Sequence, residues 1–153
     1  MKILKIQALR GPNIWSVQRK KLIQMRLDLE EMEQFPTNKI EGFRERIEAM
    51  FPTMIEHRCS EGCRGGFFSR VERGTWMGHV IEHIALEIQT LAGMETGFGR
   101  TRETKTPGVY NVVFSYTEEN VGLFAAESAV AIAESLIAGT EYDVEADIQK
   151  MRE

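Results

Sequence analysis

Ile23, Met25, Leu27 and Leu29 alternate with Gln24, Arg26 and Asp28. A strand with that pattern buries one face and wets the other, so it needs a sheet covered on one side. The strand is expected over residues 20–29. Residues 109–116 alternate in the same way, and residues 1–9 do so loosely, with Ile3, Lys5 and Gln7 against Leu4, Ile6 and Ala8. The turn Arg10-Gly11-Pro12-Asn13 stops the first strand, because proline removes a donor and glycine and asparagine suit turns.

The intervening stretches change period. Ile40, Phe43, Ile47 and Met50 fall at helical spacing over 40–51. Pro52 permits a break and a short strand over 53–57, and residues 62–66 read as a loop. A second helix is expected from Gly74 or Thr75 to Leu91, closed by Gly93, and a third over 118–138 with Thr117 as N-cap and Gly139 as stop. Residues 96–108 read as a long loop. Residues 142–153 read as a short, exposed amphipathic helix with Val144 and Ile148 four apart. The expected fold is α+β: a small single-domain sandwich of a mostly antiparallel sheet with helices on one face. Residues 1–140 form the domain, and 141–153 are a C-terminal helix or the start of a linker.

At 153 residues, with 42% hydrophobic and 27% charged side chains, the chain suits one folded core and not a disordered segment. No apolar run is read as reaching the ~18–20 residues of a membrane span. The 19 Lys and Arg against 23 Asp and Glu, net −4, argue against a general nucleic-acid binder. That balance of opposite charges leaves room for a partner carrying both signs. Two cysteines, Cys59 and Cys63, are too few for a disulfide framework, so a reducing cytoplasm is the expected compartment. A four-ligand structural zinc site would need a second cluster, so both read as ordinary thiols beside a glycine-rich loop.

His79-Val80-Ile81-Glu82-His83 has the form H-x-x-E-H. On a helix advancing ~100° per residue, the two imidazoles lie one turn apart with Glu82 beside them. Such a pair can hold one zinc ion, with the carboxylate as general base. Met77, Ile81, Ile84, Ile88 and Leu91 cluster on the other side of the helix, so the histidines are expected off the main apolar stripe. The same spacing suits two histidines on a solvated face, and both readings stand at this point. A third ligand would be His57, a cysteine or a carboxylate. Among Glu118, Glu119, Glu127 and Glu134, Glu119 is favoured, because the strand over 109–116 can deliver that helix start beside the histidines.

Gly97-Phe98-Gly99-Arg100-Thr101-Arg102-Glu103-Thr104 is the second informative stretch. Its glycines let backbone approach a ligand, Arg100 and Arg102 can grip carboxylates, and Glu103 can take a positive group. It also suits a solvated turn. No G-x-x-x-x-G-K-[ST] occurs, so ATP chemistry within the chain is not expected. Trp15 and Trp76 read as packing anchors.

Leu9-Arg10-Gly11-Pro12-Asn13 with Trp15-Ser16, Met25 to Leu29, Gly65-Gly66-Phe67, Gly74 to His79 continuing through Leu86-Glu87, and Gly97 to Thr104 with Pro107-Gly108 together resemble the N-terminal domain of cyanophycin synthetases. The resemblance covers most of residues 1 to about 138. It implies a bacterial, cytoplasmic nitrogen-storage enzyme. Its product would be cyanophycin, multi-L-arginyl-poly-L-aspartate. ATP and Mg2+ would act only in ATP-grasp and Mur-ligase-like modules, which do not occur within this chain, and the whole enzyme would be a homo-oligomer.

For the N-terminal domain the resemblance implies polymer binding and, in many members, a zinc metallopeptidase-like site that cuts polymer into primers. The family's H-x-x-E-H residues match His79, Glu82 and His83. Zinc would then be held by His79, His83 and Glu119, with Glu82 as base, while Arg100, Arg102 and Glu103 hold the polymer. The alternative is a non-catalytic tether supporting the ligase modules. Two departures stand out: Cys63 occupies a position expected to be aromatic, and Glu127 and Glu134 occupy positions expected to be more basic. Nucleic acid and membrane are not expected partners.

Overall fold

The alternating stretches pair into one antiparallel sheet. In the computed structural model, which describes all residues except Val17, Arg19, Lys20 and the side chain of Ser60, β1 (Lys2–Leu9), β2 (Leu22–Asp28), β3 (Gly99–Glu103) and β4 (Val109–Ser115) lie in the order β1-β2-β4-β3. The expected start of the second strand at Lys20 lies outside the described residues. Ile23 pairs with Phe114 and Met25 with Val112, and all four are fully buried on the inner face. The outer face carries Gln24, Arg26 and Asn111, bridged in part by Gln24 Nε2 donating to Asn111 Oδ1 at 3.3 Å. A register shift between Ile3 and Lys5 explains the loose alternation of β1 and leaves Leu4 exposed.

The helices are α1 (Phe43–Met50), α2 (Gly66–Arg73), α3 (Met77–Leu91), α4 (Glu119–Ala138) and α5 (Val144–Arg152). α3 packs on β3 and β4, α4 packs on β1 and β2, and the two helices pack against each other. The α+β class with helices covering the inner sheet face is therefore the observed one.

Several local expectations change. Residues 53–57 are not a strand, because Pro52 opens a 3-10 turn over Pro52–Glu56. The 96–108 stretch is not all loop. It contains β3, an edge strand whose register with β4 sets Arg102 opposite Asn111. The N-cap of α4 is Glu118, and the Thr117 hydroxyl instead donates to the Glu95 carbonyl. α5 is capped by Asp143 and buries Ile148 and Met151, so it is not a freely exposed helix. α4 is also long and apolar enough to cross a membrane, contrary to the reading of no such run. Its packing on α3 and the sheet accounts for that composition as a core helix.

Candidate metal centre

α3 is apolar nearly all round, which means that other elements cover it on more than one side. Its sheet-facing side packs on β3 and β4. The side bearing His79, His83 and Glu87 meets Phe67 of α2 and Thr53, His57 and Cys59 of the preceding chain, so the histidines are not on a solvated face. Glu82 and His83 are buried, and His79 is half-buried. The fully buried Phe67 of α2 stacks on the His83 ring at 4.4 Å between centroids and meets the His79 ring edge-on at 5.7 Å. Its ring forms an apolar wall that fixes both imidazole planes.

Cys59 completes the cluster. Its Sγ lies 3.0 Å from His79 Nε2, and ligand atoms of Cys59, His79 and His83 all lie within 4.8 Å of one another. The residue sits at φ 56°, a left-handed conformation that L side chains adopt rarely. The turn is pinned from behind by Gly66, where any Cβ would come within 2.2 Å of the Arg58 carbonyl oxygen. Reading Cys59 as an ordinary thiol rested on a four-ligand rule that applies to structural zinc. A catalytic zinc site needs only three protein ligands and an open position.

Hydrogen bonds orient the imidazoles. Thr75 Oγ1 lies 3.0 Å from His79 Nδ1, leaving Nε2 towards Cys59. His83 Nδ1 lies 2.8 Å from His57 Nδ1, and His83 Nε2 lies 4.0 Å from Glu82 Oε1. Burial lowers His79 to a pKa of about 4, with Arg70 adding to the effect. Burial also holds His83 well below the ordinary value, reinforced by His79, His57 and Arg70. Both rings are therefore neutral near pH 7 and keep a lone pair for a metal.

Glu82 shows the opposite shift. Burial pushes it up to about 7, against the hydrogen bond from Thr101 and the nearby Arg100 charge. Thr101 Oγ1 donates to Glu82 Oε2 at 2.6 Å, leaving Oε1 on the His83 side. The close approach of β3 requires Gly99, since a Cβ there would come within 2.4 Å of Glu82 Oε1. Burial also raises Glu87, but hydrogen bonds from His57 and Thr53 outweigh it and hold the carboxyl below its ordinary value.

The cluster lines a cleft of about 780 Å3 whose wall carries Arg58, Arg70 and Arg100 beside Glu56 and Glu103. Of the three residues read from sequence as polymer contacts, Arg100 and Glu103 line this cleft and Arg102, paired opposite Asn111, does not. Trp76 is 39% exposed and lines the cleft, so it is not a buried anchor.

Glu119 is not brought to the histidines. It begins α4 and is ion-paired with Arg10. Glu118 precedes it as the N-cap, and Glu127 and Glu134 are exposed farther along α4. His57 does reach the cluster, but both of its nitrogens are engaged, by His83 and Glu87. The donor set of two neutral imidazoles and one thiol fits zinc, which takes nitrogen and sulfur ligands.

A family model described as the cyanophycin synthase-like N-terminal domain matches residues 24–138. A cyanophycin synthetase from Synechocystis sp. is 53% identical, covering 100% of this chain and 18% of the relative. Another from Geminocystis herdmanii is 57% identical, covering 95% of this chain and 17% of the relative. A third, from Trichormus variabilis, is 52% identical, covering 100% of this chain and 17% of the relative. The chain thus spans less than a fifth of the length of these curated relatives.

Proposed function

The chain belongs to the cyanophycin synthase-like N-terminal domain family, and from that premise we propose that it binds the Asp–Arg polymer and cleaves it internally at a zinc site, generating primers. The ligands are Cys59, His79 and His83. The observation that carries this reading is a buried carboxyl, Glu82, poised near pH 7 beside three convergent metal donors. The ATP- and Mg2+-dependent ligations belong to other modules of the full-length enzyme, in a bacterial cytoplasm.

Zinc, when bound, supplies Lewis acidity to polarise the scissile carbonyl and lowers the pKa of water towards ~7. Thr101 occupies Glu82 Oε2, so Oε1 takes the proton as the water oxygen bonds to the carbonyl carbon. The same carboxyl returns that proton to the backbone nitrogen as the C–N bond breaks. Arg58, Arg70 and Arg100 meet carboxylates of the polymer, and Glu56 and Glu103 meet its guanidinium groups. The edge strand β3, with Gly99, Arg100, Thr101 and Glu103 on the cleft, offers an extended substrate a backbone to run along.

Wild type and Glu82→Gln, assayed for zinc content, polymer binding and polymer cleavage, test the proposal. Both should carry zinc and bind polymer, with cleavage lowered by ~10²–10⁴-fold in Glu82→Gln. Undiminished cleavage in the variant removes Glu82 as base, while polymer binding without wild-type cleavage leaves the tether. Gly99→Ala is expected to push the Glu82 carboxylate aside and lower cleavage by ~10²-fold with zinc retained. Steady-state rates alongside zinc stoichiometry check this.

A further inference from the structure

Behind His83 lies a polar relay that the chemistry above does not use. Glu87, 3% exposed, sits one helical turn beyond His83 on α3. Its Oε1 accepts from the Thr53 hydroxyl, and its Oε2 lies 2.6 Å from His57 Nε2. His57 Nδ1 lies 2.8 Å from His83 Nδ1. Three side chains from two segments therefore form one line, Glu87 to His57 to His83, ending at the cleft.

Proton placement along that line has one solution when both imidazoles are neutral. The carboxylate can only accept, so His57 carries its proton on Nε2. His57 Nδ1 is then a bare acceptor, and His83 must present Nδ1–H to it. His83 Nε2 is left unprotonated on the side of Glu82. We infer that Glu87 and His57 are positioning residues that lock His83 in the tautomer whose Nε2 lone pair faces the cleft. Partners behind a metal-ligating histidine fix ring and tautomer in this way, and removing them typically weakens metal binding by ~10–100-fold. The relay also keeps His57 from serving as a ligand, because joining the metal would break its bond to Glu87 or His83.

The consequence for zinc affinity rests on the metal reading above, but the tautomer does not, so the two fail separately. Imidazole nitrogen NMR on the metal-free, uniformly 15N-labelled chain at pH 8 reads the lock directly. The expected spectrum shows His83 protonated at Nδ1 and His57 protonated at Nε2. His83 protonated at Nε2, or His57 protonated at both nitrogens, overturns the lock whether or not zinc binds. Zinc affinity is then measured by chelator competition in wild type, Glu87→Gln and His57→Ala. Each variant should bind ~10–100-fold more weakly. Its cobalt(II) absorption should keep the wild-type envelope, since neither residue is a ligand. Wild-type affinity in both variants overturns the positioning role, and a changed cobalt envelope in His57→Ala makes His57 a ligand. A wild type that takes up no zinc removes the metal reading while the NMR result still decides the tautomer.

Discussion

Replacing Cys59 by glycine is expected to weaken zinc binding by more than ~100-fold, because losing a ligand should exceed the cost of losing an outer partner. The metal-free fold should lose little. Cys59 holds φ at 56°, where an L side chain costs about 1–2 kcal/mol that glycine does not incur. A strained residue whose removal spares the fold but empties the site is the signature of a position kept for chemistry. Chelator competition and denaturant melts separate the two effects. Glu119→Gln is the counterpart: it should lose only the exposed, solvent-screened pair with Arg10, leaving stability nearly unchanged and zinc affinity unchanged. The reverse outcome, zinc retained in Cys59→Gly and lost in Glu119→Gln, would restore the ligand set expected from sequence.

The second large effect is on stability. Glu82 has a pKa of about 7 in the fold against an ordinary 4.5. Between those values the folded chain keeps a proton that the unfolded chain has released. Rising pH therefore favours unfolding across that window, and by pH 8 the penalty is about 3 kcal/mol. Glu82→Gln removes the penalty, so the metal-free variant should be more stable than wild type at pH 8 and similar at pH 4.5. The histidines act on the acid side. His79, held at about 4 against 6.5, stays neutral in the fold while the unfolded chain protonates, so stability falls as pH drops from ~6.5 towards ~4. In wild type the two trends oppose each other, and in Glu82→Gln only the acid-side loss remains. Urea melts at pH 4.5 and pH 8 in excess chelator measure this. A variant no more stable than wild type at pH 8 would show that burial does not raise the Glu82 carboxyl.

What sequence reveals here follows how local each signal is. The alternation of β2 and β4 and the helical spacing of α1, α3 and α4 are carried within single segments, so they were legible. β3 was not, because it opens on Gly99, lies between Gly97 and the Pro107-Gly108 turn, and carries side chains that are mostly exposed and charged. Its identity comes from pairing with β4. α2 went unread because its buried side chains, Phe67, Phe68 and Val71, follow two glycines that look like loop.

The H-x-x-E-H spacing pointed correctly to one helix. Which way that helix faces depends on α2 and the turn at Cys59 covering it, and no periodicity within α3 contains that information. A cysteine stands among the third-ligand candidates in the sequence, but preferring Cys59 to Glu119 needs the turn that brings its thiol to His79. His57 was recognised as a candidate, but its engagement with Glu87 needs the fold.

Polymer cleavage as a function of metal tests the central claim most directly. The purified chain would be stripped with chelator, incubated with cyanophycin, and then reloaded with one equivalent of zinc while new chain ends are counted. No new ends are expected from the stripped protein, and they should appear on zinc addition in wild type but not in Glu82→Gln. Cleavage that persists in excess chelator, or a zinc-loaded wild type that binds polymer without producing ends, would contradict that claim.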